Sequence, residues 1–188
     1  VLDDSWQKTI ANDLETIQSE GHDAVRKVDA NMVVKKKSGK DVEVQDGWAG
    51  HILPFDLVQE KLLSADLAEI GTYESRLTEI SSEIADILEN LDEDDKNSTD
   101  AVSEDGDSFV ATELKKAVKS IGRDPETDFD RALVNAQRLF DEEREVKKNV
   151  KNLRSALDEK TRAVIEGLSD EQAEDLLAAK WVEPLQPK

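Results

Sequence analysis

The chain has no cysteine, which excludes disulfides, thiol nucleophiles and thiolate metal sites and accords with a cytoplasmic setting. Aromatic residues make up only 4%, so any core must be built mainly from Leu, Ile, Val and Ala. Glycine and proline are also scarce, at eight and four in 188 residues, while 37% of the chain is charged. That balance disfavours a compact sandwich or a doubly wound sheet and favours long, solvent-washed helices. Long hydrophobic runs are missing as well. The longest spans a few residues, against about 20 for a membrane-crossing helix, and Val1-Leu2-Asp3-Asp4-Ser5-Trp6 does not read as a signal peptide. A soluble protein is expected, and a start at Val1 without an initiator methionine suggests a piece of a longer one.

The net charge of −19 argues against a broad nucleic-acid-binding surface, because phosphate neutralisation needs clustered Lys and Arg. Its distribution says more. Between Asp92 and Ser108 eight acids face one base, Lys96, so seven of the nineteen net charges fall in one segment, read as a flexible acidic loop. Arg144, Lys147, Lys148, Lys151 and Arg154 form a basic stretch on an expected helix, either a solvated face or a contact for phosphates or an acidic neighbour.

Trp6, Ile10, Leu14 and Ile17 recur at helical spacing before Gly21, a natural stop. Met32-Val33-Val34 and Val42-Glu43-Val44 flank a Lys-rich Ser38-Gly39 turn, which predicts a hairpin or flap over residues 32–45. Pro54 suits the first turn of a short helix carrying Phe55, Val58, Leu62 and Leu63. Ile70, Tyr73, Leu77, Ile80, Ile84, Ile87 and Leu91 then alternate steps of three and four, the seam of a coiled coil or helical hairpin.

A short helix is expected from Phe109 to Ile121, stopped by Gly122. Asp124-Pro125 should restart helix, and from there to Gly167 no glycine or proline intervenes. At ~1.5 Å per residue that helix would extend about 60 Å. Glu143 and Lys160 interrupt its apolar seam at inward positions. Ser169 and Gln172 form a capping-box pattern for a last helix reaching about Lys180, with Trp181, Pro184 and Pro187 ending it.

The expected fold is therefore mainly α: long antiparallel helices, as a helical hairpin or coiled coil, with short helices and one small β-hairpin. Four segments follow, 1–65 (N-terminal helix, flap, Gly/Trp loop and short helix), 66–91 (long helix), 92–108 (acidic loop) and 109–188 (short, long and capping helices).

Sites of chemistry are hard to find. No two glycines lie two apart, as a methyl-donor turn needs, and no proline follows an asparagine. His22 and His51 are the only histidines, so a closed zinc site would depend on carboxylates without recognisable spacing. Counting back from Gly106 puts Ala101 and Thr112 where a calcium loop needs its first ligand and closing Glu, so Asp105-Gly106-Asp107 fails as an EF-hand. Trp6, Trp48 and Trp181 read either as core anchors or as docking residues.

Two segments carry a resemblance. Gly47-Trp48-Ala49-Gly50-His51-Ile52-Leu53-Pro54-Phe55-Asp56-Leu57-Val58-Gln59, and Leu168-Ser169-Asp170-Glu171-Gln172 through Lys180-Trp181-Val182, are similar to the C-terminal region of the modification (M) subunit of type I restriction-modification systems. The resemblance covers nearly the whole chain, with two motifs of moderate specificity.

It implies a non-catalytic helical segment that docks a methyltransferase domain onto the specificity subunit. The parent would use S-adenosylmethionine to methylate adenine N6 in DNA, as two M copies with one specificity subunit, with the restriction subunit as a further partner. This segment would hold no cofactor or catalytic residue, and DNA would be reached through the complex. Ile80, Ile84, Ile87, Val150, Leu153 and Leu157, with Trp181, are the expected interface, meeting either a partner helix or the specificity subunit. The rival from another class is a free-standing acidic protein-binding helical protein, such as a DNA mimic.

Overall fold

In the computed structural model, residues 4–37 and 39–182 are described, with side chains from residue 8 onward. The side chain of Trp6 and the terminating role of Pro184 and Pro187 lie outside them. Seven α-helices and one two-stranded antiparallel sheet make up the described chain. In order they are α1 (Asp4–Glu20), a 3-10 turn (His22–Arg26), β1 (Val28–Lys37), β2 (Lys40–Gly50), α2 (Phe55–Leu62), α3 (Ser64–Glu89), α4 (Glu93–Asn97), α5 (Ala111–Ile121), α6 (Asp128–Glu166) and α7 (Asp170–Val182). Among the described residues no helix is long and apolar enough to cross a membrane.

The chain divides into two compact units that do not follow the four sequence segments: residues 1–69 with 153–188, and residues 70–152. The first unit is discontinuous because α3 leaves it and α6 returns to it. Its core joins Ala24 and Val25 to Ile52, Leu53, Val58, Ile165, Leu168, Leu176 and Leu177. Leu53 and Ile165 are fully buried, each contributing about 1.5–3 kcal/mol by its removal from water.

In the second unit Ile80, Leu139 and Val146 form one cluster, with Tyr73, Leu77, Ile84, Ile87 and Val150 packed against it. Arg76 crosses from α3 to α6: its guanidinium reaches Glu142 at 2.7 Å and Glu83 at 2.6 Å. Those carboxylates hold the Arg76 pKa above its ordinary value, with Glu142 the largest cause, and Glu142 is lowered in return.

Several expectations need correction. The segment read as a flexible acidic loop is folded: it contains α4, and Ala101, Val102 and Phe109 are buried with Leu88, Leu91 and Leu114. Val110 N–H donates to Ala101 O at 2.8 Å, and the Phe109 ring meets Phe140 edge-on at 6.4 Å. Charge counting hid Ala101 and Val102, the two apolar residues that anchor the stretch, with Phe109 just beyond its end. Asp105 accepts from Ser103 Oγ at 2.5 Å, which lowers its pKa and closes a turn, not an ion site.

The hairpin is also longer than predicted, and the Gly/Trp loop belongs to it as the end of β2, with Trp48 opposite Ala30 and Gly50 opposite Val28. Asp46 and Gly47 together face Asn31, a bulge that Gly47 permits with φ of 78°. Helix α6 begins at Asp128, after the proline. Thr127 and Asp130 cap each other's backbone N–H at 3.0 and 3.1 Å, so the start comes from this reciprocal cap. Lys160 does not point inward; its ammonium pairs with Asp66 at 2.7 Å, and the next residue, Thr161, is the buried one.

Candidate interaction site in the first unit

The two segments that carry the resemblance lie more than a hundred residues apart and share one core. Ile52, Leu53 and Val58 from the first pack with Leu168, Ala173, Leu176 and Leu177 from the second. Polar contacts tie the same pieces. Lys180 Nζ donates to the carbonyl oxygen of Ile52 at 2.6 Å and to Asp13 Oδ2 at 2.6 Å. Trp181 Nε1–H donates to the same carboxylate oxygen at 2.9 Å. With side-chain exposures of 13% and 11%, Lys180 and Asp13 form a nearly buried ion pair, whose desolvation is offset only because each charge keeps more than one partner.

Local sequence explains how α7 arrives there. Ser169 Oγ accepts from Gln172 N–H at 3.2 Å while Gln172 Oε1 accepts from Ser169 N–H at 3.0 Å, the reciprocal cap that the spacing predicted. Arg26, from the 3-10 turn, donates through Nε to Leu168 O at 2.7 Å and pairs with Asp170 in the first turn of α7. On α6, Arg162 lies over the Trp48 ring with its guanidinium carbon 3.9 Å from the centroid. Thr161 is fully buried; it donates to Leu157 O at 2.7 Å and accepts from Gln59 Nε2 at 3.1 Å.

His51 closes the base of the hairpin. Its Nδ1 is 2.6 Å from Asp29 Oδ2 and its Nε2 is 3.4 Å from Glu20 Oε1. The hydrogen bond with Asp29 raises the His51 pKa against the opposing effect of burial, and Glu20 adds to the rise. Glu20 itself is held below its usual range, chiefly by Lys27 at 2.6 Å. Between α2 and α7 lies an open groove of about 520 Å³, apolar along Leu62, Leu176, Ala179 and Val182, with Lys61 and Gln172 at its rim.

The expected interface residues divide between the units. In residues 70–152, Ile80 is fully buried, and Ile84, Ile87 and Val150 are half-buried beside it. The in-chain partner helix α6 thus covers Ile80. Leu153, half-buried, Leu157, 5% exposed, and Trp181, half-buried against the first core, belong to the other unit. The basic stretch is neutralised in part on its own helix, with Arg144 paired to Asp141, Lys147 to Glu143 and Lys148 to Glu145.

Asp13, Arg26, Thr161 and Arg162 escaped the sequence reading, and Gln59 entered it only as the last residue of the first resembling segment. Asp13 alone carried a signal: it stands three residues after Ile10 and four before Ile17, on the inward face of α1, while Leu14 is left 43% exposed. Among the described residues no three His, Asp or Glu side chains are grouped to hold a metal ion.

No protein-family model, curated protein or solved structure matches the chain.

Proposed function

We propose that this chain is the non-catalytic C-terminal helical segment of the M subunit of a type I restriction-modification system, docking the methyltransferase domain onto the specificity subunit. The observation that carries the reading is the Lys180 to Ile52 bond within the shared core. Ile52, Leu53 and Val58 from one of the resembling stretches share a core with Leu168, Ala173, Leu176 and Leu177 from the other, an arrangement the reading expects of two parts of one domain.

In this reading α3 and α6 work as a coiled-coil hairpin. Ile84, Ile87 and Val150 are half-buried in the second unit, and the reading places a foreign helix pair alongside them. The parent enzyme supplies the S-adenosylmethionine site and the adenine-N6 chemistry from polypeptide outside this chain, acts in the cytoplasm, and meets its DNA as two M copies around one specificity subunit.

Two experiments test this. The reading frame encoding Val1 should continue upstream into a glycine-rich methyl-donor motif and an Asn-Pro-Pro-aromatic motif; a frame without them removes the proposal. In a pull-down the chain should retain the co-encoded specificity subunit, and Val150→Lys should weaken that retention while circular dichroism stays unchanged. Retention of no specificity subunit by the folded wild-type chain sinks the docking role.

A further inference from the structure

At the base of the β1–β2 hairpin His51 N–H donates to Lys27 O at 2.9 Å, and the register then runs from Val28 opposite Gly50 to Lys37 opposite Lys40. Main-chain bonds alternate along an antiparallel strand, so the odd-numbered residues from Lys27 to Lys37 turn their N–H and C=O groups toward β2. The tip agrees, because a two-residue turn makes its flanking pair, Lys37 and Lys40, a bonded one. The extra residue of the bulge sits on β2, so β1 keeps its alternation throughout. Ala30, Met32, Val34 and Lys36 therefore point their main-chain groups away from β2, and among the described residues the sheet has no third strand to take them.

The same edge carries apolar side chains in solvent. Of β1 only Val28 and Val33 are half-buried, while Met32 and Val34 are 52% and 63% exposed and share one face of the ribbon. A two-stranded ribbon is marginal in water, and an open edge is a template for another strand. The edge of β2 is blunted by its bulge and by Asp41, Glu43 and Asp46, whereas β1 is unbulged from Val28 to Lys37.

We propose that the outer edge of β1 pairs antiparallel with the same edge of a second copy of this chain, about a two-fold axis at Val33, to complete a four-stranded sheet. In that register β1 is complementary to itself. Met32 falls opposite Val34 of the second copy, twice over, so the exposed apolar side chains cover one another. Lys37 falls opposite Asp29, whose side chain is 60% exposed, and Lys35 and Lys36 face Asn31 and Ala30. Other registers that keep the main-chain groups in phase do worse. Centring on Met32 sets Lys37 against Lys27, centring on Lys35 sets that lysine against itself, and centring on Val34 leaves no lysine opposite a carboxylate. A two-fold pairing also closes, whereas β1 laid on the β2 edge of the next copy would grow into a filament. The inference goes beyond the docking role proposed above and stands without it: the copies can fail to pair while the specificity subunit still binds, and the reverse.

The test is sedimentation equilibrium of the intact chain over a range of concentrations. Because each copy carries −19, it is run at about 0.15 M ionic strength, where their mutual repulsion is screened. A reversible dimer is expected. Val34→Pro removes an outward N–H and no bond to β2, and should weaken the dimer roughly tenfold or more with circular dichroism unchanged. Lys37→Glu leaves the main chain alone: within one copy it puts an opposite charge beside Lys40, and across the axis it sets a like charge against Asp29. It should weaken the dimer roughly threefold or more. The chain has no cysteine, so Val33→Cys and Lys35→Cys each introduce a single thiol. Across the axis the two residues 33 stand about 4.5 Å apart, within disulfide reach, and the two residues 35 roughly 13 Å apart along the strands. Only Val33→Cys should cross-link on mild oxidation. A chain that is monomeric at every concentration overturns the proposal. So does a ladder of species beyond the dimer, a dimer that Lys37→Glu leaves as tight, or cross-linking of Lys35→Cys as fast as that of Val33→Cys.

Discussion

The carbonyl oxygen of Leu53 lies 1.8 Å from where a β-carbon on Gly50 would be, so the chain can close from β2 into α2 only because residue 50 lacks one. The carbonyl carbon follows at 3.0 Å, and backbone cannot rotate aside as a side chain would. Gly50→Ala should therefore destabilise by about 3 kcal/mol or more, through overpacking against main chain. Gly71, on α3, has nothing within 4 Å of the place a β-carbon would take, and Gly71→Ala should stabilise by about 1 kcal/mol. Urea denaturation of both variants checks the contrast; a harmless Gly50→Ala disproves the close approach.

Removing one partner of the Lys180–Asp13 pair leaves a nearly buried charge. Asp13→Ala should cost about 3 kcal/mol, since Lys180 retains only the Ile52 carbonyl and Trp181 Nε1–H loses its acceptor there. The double variant Asp13→Leu/Lys180→Met should recover a large part of that loss. Thermal melts of the single and double variants decide it, and a double variant no better than Asp13→Ala contradicts the pairing.

Protonation of His51 is favoured in the folded state, so its sign is that of a group with a raised pKa. Its stabilisation is fully present below the unfolded value of about 6.5 and is lost as pH rises through the higher folded value. His51→Gln should remove this slope on the alkaline side of 6.5. Stability against pH, with the His51 ring followed by NMR, measures it; a ring that titrates below 6.5 refutes the Asp29 contact.

On the acid side the order reverses. Glu142, Glu20 and Asp130 all have lowered pKa values in the fold, so what they contribute is present above their ordinary range and lost as pH falls through the lowered ones. Arg76→Met should shrink the acid-induced loss, because Arg76 is the largest cause for Glu142. An unchanged acid limb in that variant would show that Arg76 does not hold Glu142.

Thr161→Val keeps the volume and removes one hydroxyl from a fully buried position. It should cost about 1 kcal/mol, since Gln59, half-buried, can turn its amide to water. Gln59→Ala should cost a comparable amount, by removing the donor that the Thr161 hydroxyl accepts. Negligible effects of both variants in denaturant titrations argue against the bond.

Helices were legible wherever the pattern was local. Gly21 and Gly122 end α1 and α5 with positive φ, and the Ser169/Gln172 cap opens α7, because caps and stops depend on neighbours within one turn. The acidic stretch was misread for the opposite reason: the burial of Ala101, Val102 and Phe109 depends on Leu88, Leu114 and Leu133, which arrive from other helices. Of the candidate site, Trp181 and the two signature segments were visible. Thr161 was not, since a polar residue on a helix reveals its burial only when its partners are known, and the spacing of Asp13 from Ile10 and Ile17 marked its face but not its partner Lys180.

Composition and periodicity by themselves determined that the chain is helical, poor in aromatics, strongly acidic and provided with a Lys-tipped hairpin, because these follow from side-chain chemistry and the repeat of the backbone. Only tertiary packing decided that residues 1–69 and 153–188 form one body, that Lys180 finds Asp13, and that Ile80 is closed by its own chain. Such pairings are selected by the mutual burial of distant surfaces, and no local pattern records which surfaces will meet.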